Sequence, residues 1–319
     1  MGQDKGPLEV TRSWDEVPLA MTKSSEKLSL LEERIDDAYR MLESCRVCPR
    51  RCGVNRIRGE AGACALGRNP AVSSFNLHFG EEPPISGYRG SGTIFFTSCN
   101  LRCVFCQNYP ISQLRHGREV SVGTLADMML KLQDKGAHNI NFVTPTHLVP
   151  QIMDALRIAY ERGLEIPLVY NTGGYDSLEA LRLLDGIVDI YMPDMKYSDP
   201  EMALKYSGVP DYPKVNRQAI KEMHRQVGDL IMDDDGIAVK GLLVRHLVLP
   251  EGIAGTEGVL KFLAEEVSKD TYVSLMRQYF PAYRAVDMPP LDRRITEEEY
   301  REAVELLERY GLTRGWIQE

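Results

Sequence analysis

Short apolar runs alternate with one-faced helical patterns along most of this chain. From residue 25 the apolar residues Leu28, Leu31, Ile35, Tyr39 and Leu42 recur every three or four positions among charged neighbours, which predicts a helix with one buried face. The 23 residues before it show no sustained period and read as a loosely held, flexible arm. Residues 53–92 are rich in Gly, Pro and Arg and read as irregular structure, pinned by a metal and not by a hydrophobic core.

Beyond that stretch, strands are expected at 93–97, 139–143, 167–170, 187–192, 242–249 and 272–276. Helical patterns lie between them, one carrying Leu125, Met128, Met129 and Leu132, the next Leu148, Val149, Ile152, Leu156 and Ala159, and others at 178–184, 212–227 and 256–267. A hairpin turn is expected at 234–236, and a last helix, capped by Thr296 with Glu299 three residues on, runs towards Tyr310. Such alternation implies right-handed βαβ units on a parallel sheet, an α/β fold. Six units make an open, partial (β/α)6 barrel, because a closed eightfold barrel needs more strand–helix pairs than the chain supplies. The expected organisation is an arm at 1–23, an N-terminal helix and cysteine-rich metal-binding extension at 24–89, the barrel at 90–290 and a C-terminal helix at 291–319.

Charge and composition narrow the function. A chain of 319 residues can bury a full core, and its formal net charge of -8 argues against general attraction to nucleic acid or anionic lipid. No run approaches the ~20 apolar residues of a membrane helix, and the first residues lack the apolar stretch of a secretion signal. A cytoplasmic protein with no membrane partner is therefore expected. The seven cysteines fall into two groups, Cys45, Cys48, Cys52 and Cys64, then Cys99, Cys103 and Cys106, with none left over. Tight clusters in a reducing compartment point to metal ligation, not disulfides.

Cys99, Cys103 and Cys106 form a C-x3-C-x2-C loop directly after the first barrel strand, at the mouth where βα loops assemble active sites. A [4Fe-4S] cube usually takes four thiolates, so three leave one iron open to a substrate or cofactor. A zinc knuckle would pair two C-x-x-C elements instead. Asp194 and Lys196 share one side of a strand by its two-residue period, and either meet polar groups of a ligand or form a salt-bridged strand end. Arg245 interrupts an apolar run, where an unpaired guanidinium would be costly, so a carboxylate partner is expected. The first group, Cys45-x2-Cys48-x3-Cys52-x11-Cys64, is a full set of four soft ligands. Structural zinc and a second [4Fe-4S] cluster both fit, with the unequal spacing leaning slightly towards iron–sulfur. Arg46, Arg50, Arg51, Arg56 and Arg58 surround it, and either attract an acidic partner or balance the thiolates. Of the histidines, His147 is of interest because it lies at a strand mouth.

The string Cys99-Asn-Leu-Arg-Cys103-Val-Phe-Cys106 resembles the signature of the radical S-adenosylmethionine (SAM) superfamily. Residues 90–290 are similar to its branch typified by pyruvate formate-lyase activating enzyme. The resemblance implies an oxygen-sensitive, anaerobic oxidoreductase in which SAM chelates the open iron and is cleaved to a 5'-deoxyadenosyl radical. That radical takes hydrogen from a protein, peptide or small-molecule substrate, glycyl-radical enzyme activation being one form. The electron donor it implies is reduced flavodoxin or ferredoxin. It implies a place for Phe105 near the adenine, and SAM contacts from Asn171 and Thr172, whose turn resembles an Asp-Thr-Asn-Gly turn of the family. It also implies SAM contacts from Asp194 and Lys196, in a Met-Leu-Asp-Leu-Lys-like run, and from Arg245 towards the SAM carboxylate. Thr144 and Thr146 stand where the family has a Gly-Gly-Glu-like turn, so their hydroxyls and backbone would replace it. The four-cysteine group also departs from activating enzymes whose ferredoxin-like insert follows the radical loop. Tyr175, Tyr279 and Arg284 are substrate candidates by position alone. The competing readings are an electron-transfer protein with two iron–sulfur centres and a zinc-stabilised adaptor; an open three-cysteine loop on a barrel favours the enzyme.

Overall fold

The structure, a computed structural model, describes residues 16–318, with side chains described from residue 24 onward. The arm expected at 1–23 lies outside the described residues as far as residue 15, and helix α1 (Glu16–Glu43) already occupies the remainder. The elements that follow are β1 (Ala71–His78), α2 (Pro83–Ser86), β2 (Ser91–Phe96), α3 (Tyr109–Ser112), β3 (Arg118–Glu119), α4 (Val122–Asp134) and β4 (Ile140–Val143). Next come α5 (Val149–Glu161), β5 (Leu168–Thr172), α6 (Leu178–Leu183), β6 (Ile190–Pro193), α7 (Pro200–Ser207) and α8 (Tyr212–Val227). The chain ends with β7 (Ile231–Met232), β8 (Ala238–Leu247), α9 (Thr256–Phe262), β9 (Tyr272–Met276), α10 (Glu297–Tyr310) and β10 (Gly315–Ile317).

Strands β2, β4, β5, β6, β8 and β9 run parallel and adjacent in that order, the open (β/α)6 barrel expected from the alternation. Strand β10 adds in parallel beside β9, while β1 pairs antiparallel with β2 and β3 with β1. The sheet runs from β10 to β3 without closing, so a lateral gap separates those two edges. Strand β1 corrects the expectation of irregular structure at 53–92. Its inward and outward positions do alternate, but the Ser73-Ser74 pair sits at a register shift between Val72 and Ser74, which breaks the period.

The two faces of the strands serve different cores. Outward residues such as Ile94, Phe142, Tyr170 and Val244 join the main core with the helices, including Leu31, Met41 and Leu42 of α1. Helix α1 is tied to the barrel's outside by Lys27 to Asp189 at 2.6 Å and Tyr39 to Asp154 at 3.0 Å. Inward residues Val169, Ile190, Leu243 and Tyr272 pack on Ile85 of α2. The β1–β2 connection thus turns back under the barrel and seals its floor, pinned where Asn139 Nδ2 donates to the Ile85 carbonyl at 2.8 Å. Helix α10 carries the expected capping box, with Thr296 and Glu299 each satisfying the other's backbone. Among the described residues no helix is long and apolar enough to cross a membrane.

Candidate functional site

Beyond the end of β2, Ser98 adopts a left-handed φ of +67°, which turns the chain sharply into the cysteine loop. The loop is held from outside by the end of α7, whose Tyr206 and Ser207 carbonyls accept from Val104 N at 2.9 Å and Arg102 N at 3.1 Å. Asn100 Nδ2 donates to the Tyr175 carbonyl at 2.7 Å. Each sulfur has a polar neighbour: Leu101 N–H donates to Cys99 Sγ at 3.4 Å and the Ser207 hydroxyl to Cys103 Sγ at 2.9 Å, and Ser112 Oγ lies 3.0 Å from Cys106 Sγ. All three thiols are free. Burial, and then the neighbouring Cys103, push the Cys99 thiol up to about 12. Burial also raises Cys103, with Lys196 opposing it. Three soft donors on one loop, beside a cation and with donors aimed at their sulfurs, are the chemistry a [4Fe-4S] cluster needs.

Opposite the loop lies a network of buried charge. Arg245 donates from Nε to Asp194 Oδ1 at 2.9 Å, from one terminal nitrogen to Asn171 Oδ1 at 2.8 Å, and from the other towards Glu81 at 3.4 Å. Lys196 Nζ donates to Asp194 Oδ2 at 2.6 Å. Burial acts to raise the Asp194 carboxyl, but Arg245 and Lys196 outweigh it and hold it below the usual carboxylate range. Burial likewise opposes the charge on Lys196, and Asp194 and Cys103 more than restore it. The carboxylate expected beside Arg245 therefore comes from the protein itself, from Asp194 and Glu81. Cys103, Phe105 and Cys106 share a cavity of about 190 Å³ with Asp194, Lys196 and Arg245. Phe105 is held edge-on between Tyr197 and Tyr279 and forms an apolar wall of that cavity.

The other expected residues are distributed differently. Asn171 lines a second cavity further along the lumen. The hydroxyls of Thr146 and Thr172 turn away to Asp176, each at 2.7 Å, where Tyr170 OH also donates at 3.0 Å. Thr144 has a φ of +61° and bonds through its N–H to the Asn171 carbonyl at 2.8 Å. His147 is buried with Nε2–H donating to the Thr97 carbonyl at 3.0 Å, a structural contact. Tyr175 donates to Asp211 at 2.8 Å and Tyr279 to the Leu291 carbonyl at 2.6 Å, both inside the apolar cluster behind the loop. Arg284 stacks over Tyr283. Sequence reasoning missed Glu81, Glu82, Ser207 and Gln278, which converge on this region from remote segments, and no periodicity or spacing marks them.

The first cysteine group folds against the same side of the barrel. Cys48 is coupled electrostatically to Cys64, Cys45 and Cys52, which places the four in one neighbourhood, and burial, the largest cause, pushes it up to about 12. Ala63 N–H donates to Cys52 Sγ at 3.3 Å. Among the described residues no group of three or more His, Cys, Asp or Glu side chains is arranged to hold a single metal ion. Three of the surrounding arginines have structural partners. Arg46 pairs with Glu179 at 2.9 Å, Arg50 donates to the Asn100 carbonyl at 2.8 Å, and buried Arg56 spans the Gly67 and His147 carbonyls at 3.0 and 2.7 Å. Arg102 reaches back from the radical loop to the Ala63 carbonyl. The two cysteine groups are thus connected through Arg50 and Arg102.

The uncharacterised protein MJ0674 of Methanocaldococcus jannaschii is 32% identical to this chain over 295 residues, which cover 90% of this chain and 80% of that protein. A second uncharacterised protein of the same organism, MJ0808, is 24% identical over 286 residues, 82% of this chain and 77% of its own length. A family model described as the radical SAM superfamily matches residues 93–233, from within β2 through the cysteine loop to the end of β7. The matched stretch begins on the strand that delivers the three cysteines and continues around four of the six barrel strands, so the chain carries a domain of the radical SAM superfamily, whose enzymes work through a [4Fe-4S] cluster and SAM.

Proposed function

We propose that this protein belongs to the activating-enzyme-like branch of its superfamily, with Cys99, Cys103 and Cys106 holding the cluster and SAM lying in the adjoining cavity. When bound and reduced by flavodoxin or ferredoxin, the cluster supplies the electron that breaks SAM into methionine and a 5'-deoxyadenosyl radical, which takes a hydrogen atom from a substrate. The observation that carries this reading is that Cys103 and Cys106 open on the same cavity as Asp194, Lys196 and Arg245. A pure electron carrier has no use for such a cavity.

The residues divide the work of binding. A guanidinium has five N–H donors, and Arg245 commits three of them to protein acceptors, which leaves two for a ligand carboxylate. Lys196 likewise keeps donors free beyond its bond to Asp194. Asp194 orients both cations, and Phe105 excludes water from one wall and offers an apolar face to an adenine. The Ser207 hydroxyl stabilises the Cys103 sulfur as thiolate. Cys45, Cys48, Cys52 and Cys64 hold a second metal centre, for which [4Fe-4S] is slightly favoured over zinc. A reducing cytoplasm is the compartment that suits seven free thiols.

Anaerobic reconstitution with iron and sulfide, followed by dithionite and SAM, tests the reading. Methionine and 5'-deoxyadenosine are the expected products, and their absence would sink it. Cys103→Ala should abolish both products while the iron or zinc of the first group remains. Iron, sulfide and zinc counts on the Cys99→Ala, Cys103→Ala, Cys106→Ala triple variant then identify the first metal.

A further inference from the structure

The barrel lumen holds more acid than the cofactor site uses. A second cavity of about 230 Å³ is lined by Glu81 and Glu82 together with His78, Asn171, Trp316 and Gln318, and by none of the cysteines. It meets the cysteine-side cavity at Asn108, Arg245, Met276 and Gln278. His78 ends β1 and Trp316 lies in β10, so the walls of this second cavity come from both sides of the lateral gap in the barrel.

Glu81 is engaged, accepting from Asn141 Nδ2 at 3.0 Å and facing Arg245. Glu82 is not. The residue is 3% exposed, and its Oε2 has no hydrogen-bond partner among the described residues. A further buried oxygen in the same lumen, Asn141 Oδ1 on β4, is also unpartnered among the described residues, and the Ser274 hydroxyl on β9 is the group placed to answer Glu82. Native interiors rarely leave such atoms unpaired, so each needs an explanation. Charge points the same way. With every group ionised, Glu81, Glu82 and Asp194 outnumber Lys196 and Arg245 by three to two. Burial pushes both glutamates up against the pull of Arg245, the mark of carboxylates short of counter-charge. An ammonium group in the cavity would bring N–H donors and one positive charge, which is what Glu82, the one of these residues that lines it, is short of.

We propose that the Glu81–Glu82 cavity is the substrate site and takes a small molecule bearing a primary ammonium group, with Glu82 Oε2 as its counter-ion. The volume is below the range of about 300–1,000 Å³ common for ligand pockets, which suits a small amine better than a peptide segment. The inference rests on the SAM-cleavage reading for the word substrate, and among the protein, peptide and small-molecule substrates open to that reading it selects a small amine entering through the lateral gap.

The test uses the reconstituted protein and two probes of similar size, n-butylammonium and 1-butanol, by isothermal titration. Wild-type protein should bind the amine at least about tenfold more tightly than the alcohol, and Glu82→Gln should lose about tenfold in amine affinity alone. Equal affinities for the two probes in wild-type protein would overturn the proposal, and that measurement does not depend on whether the variant folds. Complete displacement of the amine by saturating SAM would also overturn it, because the amine would then occupy the SAM cavity. The same preparation is assayed for 5'-deoxyadenosine. Product without amine preference defeats this inference alone, and amine preference without product defeats the SAM reading while leaving the amine site standing.

Discussion

Arg245 and Lys196 share a single carboxylate, Arg245 bonding one oxygen of Asp194 at 2.9 Å and Lys196 the other at 2.6 Å. The three side chains are 15–19% exposed, so their charges are poorly solvated and depend on one another. Glu81 also faces Arg245, but among the described residues Lys196 ion-pairs with Asp194 alone, so removing that carboxylate leaves the buried ammonium uncompensated. Asp194→Asn keeps the shape and deletes the charge, and should cost roughly 3–5 kcal/mol of stability at pH 7. Urea denaturation of the two proteins measures it, and a cost under 1 kcal/mol would mean that the cations are solvated after all.

The Ser207 hydroxyl donates to Cys103 Sγ at 2.9 Å and lies 2.8 Å from Tyr197 OH. Hydrogen bonds to cluster sulfurs favour the more negative, reduced state. Ser207→Ala should therefore move the cluster potential down by tens of millivolts, since tenfold discrimination between two oxidation states is about 59 mV for one electron. A redox titration followed by electron paramagnetic resonance reads the shift, and an unchanged potential would assign the hydroxyl to packing alone.

Gly62 is confined by the first cysteine group. A Cβ there would lie 2.8 Å from both Cβ and Sγ of Cys52, closer than packed atoms approach. Gly62→Ala must displace Cys52 or the turn that carries Cys64. The expected result is about 10–100-fold weaker metal binding at the first group, the range typical for disturbed support of a ligand. Metal content after competition with a chelator measures it, and the metal content of the proposed site at Cys99, Cys103 and Cys106 serves as the internal reference.

What the sequence conveyed follows from how local each feature is. The strand expected at 272–276 matches β9 residue for residue, because a parallel strand buried on both faces reads as an apolar run with clear ends. Helix α7 escaped notice: eight residues with Glu, Lys and Ser among the apolar ones give too few turns for a period. The grouping of the cysteines was legible from their spacing, and each group forms one neighbourhood in the fold. The need of Arg245 for a carboxylate was legible too, but Glu81 comes from a segment that loops beneath the barrel, and only the folded chain brings it near. Thr172 shows a signal that was available. It shares the outward face of β5 with Tyr170, two residues before it, so its hydroxyl meets Asp176 on the helix side of the sheet.

His147 supplies a prediction about pH. It is 1% exposed, and its ring bonds the Thr97 carbonyl at 3.0 Å. Burial first, and then the cation Arg56, hold its pKa down at about 3, against roughly 6.5 for a histidine in the unfolded chain. His246, buried on β8, is lowered to about 4, again chiefly by burial. With the folded value depressed, the unfolded chain takes up the proton first as pH falls. Each ring's contribution is complete above the unfolded pKa and is lost as pH drops from about 6.5 towards the folded value, by at most about 1.4 kcal/mol per pH unit. His147→Gln should be less stable than wild type at pH 7, having lost packing and one hydrogen bond, yet its stability should decline less steeply between pH 6 and pH 5. Urea midpoints at half-unit intervals give both slopes. Equal slopes would mean that His147 accepts its proton without leaving the fold, and that the buried position beside Arg56 opens readily to water.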